Sequence, residues 1–279
     1  MHVLITGVNG FVGQALYKSL TAEHIVTGIY NNGSAMFTNC HKVNLSNEKE
    51  TLDFFSGQEN KIDVVIHLAS KMAATDNLKD VSLLSFNPTI AKNIALGMKE
   101  ANIKHVLNLS SSSVYPNVDG SFDESCAPDP SPNSDCIYGL SKFNSEIVLN
   151  HFLNGTGSVV THLRSSMIYG EGMHEAHILS TLKKELEEKN TVTLFGNGER
   201  LLNMIHVSQL ARYINFFIHS AYEGIVNVSD ECISLFELGK RIVGKGNENK
   251  ILLRTEGNKN KFILDIGKLK NLTGQKSQQ

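Results

Sequence analysis

Uninterrupted apolar runs recur through the first 165 or so residues: Val3–Ile5, Ile25–Ile29, Val64–Leu68, Val106–Leu109 and Val159–Leu163. A strand with one wet face alternates apolar and polar side chains, so runs without alternation read as strands covered on both faces, as in parallel sheets. Parallel neighbours need a long crossover rather than a tight turn. Phe11–Leu20, Glu48–Phe55, Val81–Ala101 and Tyr138–Phe152 supply it, with apolar residues at helical spacing. The rhythm predicts an α/β fold built on a doubly wound parallel sheet. With 279 residues there is room for one such sheet and a smaller lobe.

Residues 116–136 carry Pro116, Pro128, Pro130 and Pro132 among Asp, Ser and Asn, and read as a loop directly before Tyr138. Beyond Gly170 the pattern is less regular: a charged helix at Leu179–Lys189, a short strand near Thr191–Phe195 and a helix at Ser208–Ser220. The polar tail after Leu272 is expected to fray.

A net charge of −2 gives no electrostatic case for nucleic acid or an anionic membrane as partner. No apolar run approaches the roughly 20 residues of a membrane span, and the N-terminus enters a strand without the regions of a signal peptide. The 4 cysteines show no metal-type spacing, which fits reduced thiols and a cytoplasmic location. His174 and His177 lie one turn apart but have no third ligand nearby in sequence, so no metal is expected.

Thr6-Gly7-Val8-Asn9-Gly10-Phe11-Val12-Gly13 joins the first strand to the first helix. Glycines there let the backbone approach a diphosphate, whose charge is met by free amides and the positive helix end. The spacing is GxxGxxG rather than the GxGxxG fingerprint. Its placement still predicts a Rossmann-type dinucleotide site. We expect residues 1–168 to be the dinucleotide-binding domain, with 191–222 partly returning to it, and 169–279 to be a substrate-binding lobe.

Tyr138 and Lys142 open a helical run and share one face. An adjacent ammonium favours the phenolate, so Lys142 is expected to lower the Tyr138 pKa and to fit the phenol for proton exchange with a substrate hydroxyl.

Together with these motifs, Ile66-His67-Leu68-Ala69, Asn87, Leu109-Ser110-Ser111-Ser112-Ser113-Val114-Tyr115, Leu163-Arg164, Ile168-Tyr169-Gly170, Phe195-Gly196-Asn197-Gly198 and Ile205-His206-Val207 resemble landmarks of the extended short-chain dehydrogenase/reductase family, in particular its nucleotide-sugar epimerases, dehydratases and 4-ketoreductases. The resemblance covers most of the chain. It implies hydride transfer at a sugar carbon with NAD or NADP, Tyr138 as acid/base, Lys142 on the nicotinamide ribose, and Ser111 (Ser112 in the alternative register) steadying the substrate oxygen. It further implies that Gly7, Asn9, Gly10, Phe11, Val12, Tyr30, Asn44, Leu45, Leu68, Ala69, Ser70 and Asn87 bind cofactor with Tyr138 and Lys142. On the substrate side it implies Ser112, Ser113, His177, Arg200 and Arg254, and it implies a homodimer through the helices at Val81–Ala101 and Tyr138–Phe152.

Departures from the family pattern shape the expected function. Gly28-Ile29-Tyr30-Asn31-Asn32 lacks the acidic residue that grips the adenosine ribose, and no Arg or Lys for a 2′-phosphate replaces it. Leu202 stands where relatives grip the substrate diphosphate with arginine, leaving Arg200 and Arg254 as candidates. Ser113 occupies the position of the cysteine in relatives that epimerise a second carbon, and Ser111-Ser112-Ser113 replaces the Thr-Asp-Glu of dehydratases. The expectation is a 4-keto-sugar reductase. The alternatives are an NAD-dependent 4-epimerase and, from another class, a non-catalytic dinucleotide-sensing subunit.

Overall fold

The computed structural model describes residues 1–72, 78–175 and 177–274. The chain runs β1 (His2–Thr6), α1 (Phe11–Leu20), β2 (Ile25–Tyr30), β3 (Cys40–Lys42), α2 (Glu48–Ser56), β4 (Val64–His67), α3 (Leu83–Glu100) and β5 (His105–Ser111). It continues through β6 (Gly120–Phe122), α4 (Cys136–Leu153), β7 (Val159–Ser165), β8 (Met167–Tyr169), α5 (Ile178–Lys189), β9 (Val192–Leu194), β10 (Leu201–His206), α6 (Val207–Ser220) and β11 (Gly224–Val228). β12 (Glu231–Ser234), α7 (Leu235–Val243), β13 (Ile251–Leu253), β14 (Phe262–Leu264) and α8 (Gly267–Thr273) complete it.

Seven strands form the main sheet in the order β11-β7-β5-β4-β1-β2-β3, and every neighbouring pair is parallel. This is the doubly wound α/β sheet that the apolar runs predict. Successive residues of β1 face opposite layers: Val3 and Ile5 pack with α1 and α6, while Leu4 packs with α2, α3 and α4. Both layers are dry, which is why these strands read as continuous apolar runs.

Strand order reverses about β1, with β2 on one side and β4 on the other. Ligands of such sheets bind at the carboxyl ends of the strands at this switch point. Thr6, His67 and Ser111 end their strands there.

A smaller lobe is built on the sheet β12-β10-β8 and the pair β13-β9. Its separate core includes Leu182, Leu194, Leu202, Met204 and Leu238. Within 191–222, β9 belongs to this lobe, whereas α6 packs against α1 on the main sheet. Farther along, β11 adds the sheet's edge strand and α8 lies against it.

The stretch 116–136, expected to be loop throughout, contains β6, which pairs in parallel with β14. Its partner lies near the far end of the chain, so no local pattern announces it. Among the described residues no helix is long and apolar enough to cross a membrane.

Candidate active site

β1 delivers the chain to Gly7, whose φ of +73° suits glycine. A Cβ on Gly7 would lie 3.1 Å from the Ala69 backbone, and one on Gly13 would lie 2.3 Å from the Gly7 carbonyl oxygen. The loop is therefore folded tightly on itself and against the end of β4. Thr6 fastens the two: its Oγ1 accepts from the amides of Leu68 and Ala69, each at 3.1 Å, and pairs with His67 Nδ1 at 3.0 Å. Gly10 caps α1 without a side-chain hydrogen bond. With Gly10 at its start and Phe11 and Val12 in its first turn, α1 keeps amides for an anion. These features fit a dinucleotide diphosphate.

Asn9 Nδ2 donates to the carbonyls of Asn32 and Ser34, at 3.2 and 3.0 Å, and holds the loop after Tyr30 beside the glycine turn. Asn44 instead closes a local turn, its Oδ1 accepting from the amide and hydroxyl of Ser46, while Leu45 is buried in the core.

The Pro-rich stretch leads into α4, which starts two residues before Tyr138 and presents Tyr138 and Lys142 inward; both are buried. The Ser111 hydroxyl at the end of β5 lies close enough to the Tyr138 phenol to favour its ionised form, and the phenol donates to Met72 Sδ at 3.3 Å. The structure thus brings Ser111 to the tyrosine, while Ser112 opens a 3-10 turn.

Burial, assisted by the charge of Asp135, drives the Tyr138 pKa well above the usual tyrosine value, against the opposing pull of the Ser111 hydroxyl. This corrects the expectation that Lys142 lowers it: desolvation of the phenolate sets the direction, and Lys142 is not among the groups that shift it. The lysine is itself displaced. Burial lowers its pKa to about 8, while Glu146 pulls it upward. His67, pushed down to about 3 by burial and then by the Lys142 charge, stays neutral.

Asn87 receives the Lys71 amide at 2.8 Å and donates to the Lys71 carbonyl and to Ser141 Oγ, at 3.1 and 2.9 Å. It ties the segment after β4, with Leu68, Ala69 and Ser70, to the turn of α4 that carries Lys142.

On the substrate side, Ser113 Oγ donates to Asp135 Oδ2 at 2.8 Å, and Asn133 Nδ2 donates to the Ser113 carbonyl at 2.9 Å. Asp135 occupies the N-cap of α4 without capping it; its carboxylate turns to the serine. Arg200 is half-buried; burial lowers its pKa while the Asp135 charge opposes the fall. Arg200 therefore lies within electrostatic reach of the site. Leu202 is buried in the lobe core.

His177 caps α5, its Nδ1 accepting from the Leu179 amide at 3.3 Å. Arg254 is exposed just past β13, with its backbone bonded to Leu194 and Asn197. No described contact joins Arg254 to Tyr138.

Behind the site lies a buried network. Arg164 at the end of β7 donates from Nε and Nη2 to Glu146, at 3.1 and 2.8 Å, and from Nη1 to the Tyr115 hydroxyl at 2.8 Å. Ser110 donates to the same Glu146 carboxylate, and Tyr115 donates to Asn227 Oδ1 at 3.0 Å. Sequence reasoning passed over Glu146, although it stands one helical turn beyond Lys142. It passed over Asp135 for lack of any spacing signal, and it placed Thr6 in the glycine motif without giving its hydroxyl a role.

The profile of the NAD dependent epimerase/dehydratase family matches residues 3–229. The chain belongs to this family. ADP-L-glycero-D-manno-heptose-6-epimerase of Cupriavidus pinatubonensis is 28% identical over 82% of this chain and 72% of its own length. N-acetyl-alpha-D-glucosaminyl-diphospho-ditrans,octacis-undecaprenol 4-epimerase of Escherichia coli O157:H7 is 24% identical over 80% of this chain, which spans 65% of that protein. Among solved structures, MoeE5 in complex with UDP-glucose and NAD superposes with a TM-score of 0.82 at 22% identity, covering 98% of this chain and 92% of MoeE5. That likeness establishes the fold. The chain is thus an enzyme of the NAD-dependent nucleotide-sugar epimerase/dehydratase family, and Tyr138, Lys142 and Ser111 stand at the edge of the sheet where such folds place ligands.

Proposed function

We propose that this family member interconverts the C4 epimers of a sugar carried on a nucleoside diphosphate. The carrying observation is the cluster of Tyr138, Ser111 and Lys142, beside which positions 112 and 113 hold serines and the neighbouring Asp135 carboxylate is taken up by the Ser113 hydroxyl. Inversion at C4 through a ketone needs one proton carrier on a single hydroxyl. Dehydration, or epimerisation beside a ketone, needs a second group to move a proton at carbon.

A nicotinamide dinucleotide bound on the glycine loop supplies a hydride acceptor and donor. Tyr138 takes the C4 hydroxyl proton on oxidation and returns it on reduction. Ser111 holds the same oxygen and donates to it as negative charge develops. Lys142 would hold the nicotinamide ribose and keep a positive charge near the phenol. Arg200 meets the substrate diphosphate from the lobe. The α3–α4 layer leaves Leu140 and Ile147 exposed on α4, and a homodimer through this face belongs to the same reading. The free thiols fit a cytoplasmic location.

A second reading is a 4-keto-sugar reductase. It is favoured by the uncharged stretch Tyr30–Asn39, which leaves the adenosine ribose without an acidic clamp and suits an exchanging NADPH.

The purified protein, given UDP-glucose or UDP-N-acetylglucosamine without added cofactor, is expected to yield the C4 epimer by NMR. NADPH oxidation with a nucleotide 4-keto-sugar and no epimer formed would transfer the assignment to the reductase. Dinucleotide binding without turnover on either panel would leave the sensing subunit.

A further inference from the structure

We propose that Glu23, His24 and His219 form a binding site for a divalent transition-metal ion of the zinc type, at the edge of the main sheet away from Tyr138. Glu23 and His24 precede β2, and His219 lies in the last turn of α6, so all three stand where the strands begin. The packing of α1 against α6 brings them together. One donor atom from each lies within 4.8 Å of the other two.

The hydrogen bonding around His24 points to ligation. Its Nε2 pairs with Asn215 Oδ1 at 2.8 Å. An amide oxygen only accepts, so Nε2 carries the proton and Nδ1 keeps its lone pair. That Nδ1 is buried and has no hydrogen-bond partner, which is an unfavourable state for an acceptor. A metal ion beside it would satisfy it. The other end of the Asn215 amide donates from Nδ2 to Glu23 Oε2 at 3.2 Å. A carboxylate only accepts, so the two bonds fix the same amide orientation. One asparagine thus sets both the imidazole tautomer and the carboxylate, as the outer partners of metal ligands do.

The ring geometry agrees. Two imidazoles on one tetrahedral ion place their ring centres about 5 Å apart, given the Zn–N distance. The His24 and His219 rings are 5.4 Å apart and tilted by 38°. Two imidazoles and a carboxylate suit zinc, with a position left for water, and suit nickel or copper more than magnesium or calcium.

The test uses chelator-stripped full-length protein titrated with zinc chloride by calorimetry and melted with zinc or magnesium. The expected result is saturable binding of one zinc per chain and a higher melting temperature with zinc only. His219→Ala is expected to weaken zinc binding at least tenfold and abolish the thermal shift. Asn215→Ala is expected to weaken it about 10- to 100-fold. Because His219 is exposed, the metal-free melting temperature and turnover of its variant should match the parent. Glu23→Gln serves if that variant fails to fold. Absence of saturable binding overturns the proposal. So does equal binding by parent and His219→Ala, which would place the ion elsewhere on the chain.

Discussion

Replacing Lys142 with methionine should stabilise the protein near neutral pH while removing turnover. The lysine is 4% exposed. Burial takes its pKa from 10.5 to about 8 even though Glu146 pulls the other way. At about 1.4 kcal/mol for each tenfold change in proton affinity, holding the ammonium there costs about 3 kcal/mol. The folded pKa lies below the unfolded one, so between the two values the unfolded chain binds the extra proton. The penalty is therefore fully present below about pH 8 and is relieved as pH rises towards 10.5. Methionine fills much of the same volume without charge, and an imperfect fit removes up to about 1.5 kcal/mol. Glu146 keeps Arg164 at 2.8 Å, so the substitution strands no carboxylate. A net gain of about 1.5–3 kcal/mol at neutral pH follows. Urea unfolding of both proteins at several pH values checks it. The midpoint of the variant should be higher near pH 7, and the difference should shrink steadily above about pH 8. The reasoning fails if the variant is less stable near pH 7, or if the two stability curves run parallel through the alkaline range.

Tyr138→Phe should keep the fold and dinucleotide affinity but lose about 10²- to 10⁴-fold in kcat; unchanged turnover would remove Tyr138 from its role. Asp135→Asn deletes an anion that holds the Tyr138 pKa up. The pH at which the phenolate becomes available should fall, moving the ascending limb of kcat/KM to lower pH; a limb that stays or rises contradicts the sign. Gly13→Ala forces a Cβ to within 2.3 Å of the Gly7 carbonyl and should abolish dinucleotide binding, measured by fluorescence quenching. Arg164→Met removes the guanidinium that pairs with the buried Glu146 carboxylate, leaving it the Ser110 hydroxyl and the Lys142 charge, and should cost up to about 3–5 kcal/mol in urea unfolding, with most of that recovered in the double variant Glu146→Leu/Arg164→Met.

The parts of this chain legible in its sequence are those whose partners are dictated locally. β1, β2, β4, β5 and β7 are dry on both faces, so apolar runs mark them. The short strands β6, β13 and β14 have three residues each and pair with distant segments; three residues are too few to show a period. The tyrosine–lysine spacing correctly places both groups on one face of α4, yet it gives the wrong direction for the tyrosine's acidity. Proximity along a helix is a local property, whereas desolvation depends on what the fold lays over the pair, here the end of β5 and the segment after β4. Arg200 and Leu202 make the same point from the lobe. Two residues apart, they would share a face on one strand, but β10 begins only at Leu201: Leu202 is buried in the lobe core, while Arg200 lies before the strand and feels the Asp135 charge. Asp135 itself has the residue type of a helix cap, but its carboxylate is drawn to Ser113 by packing that no sequence window contains. The chemistry of this site therefore follows from the residue types that the sequence displays, and its tuning follows from neighbours that only the folded chain assembles.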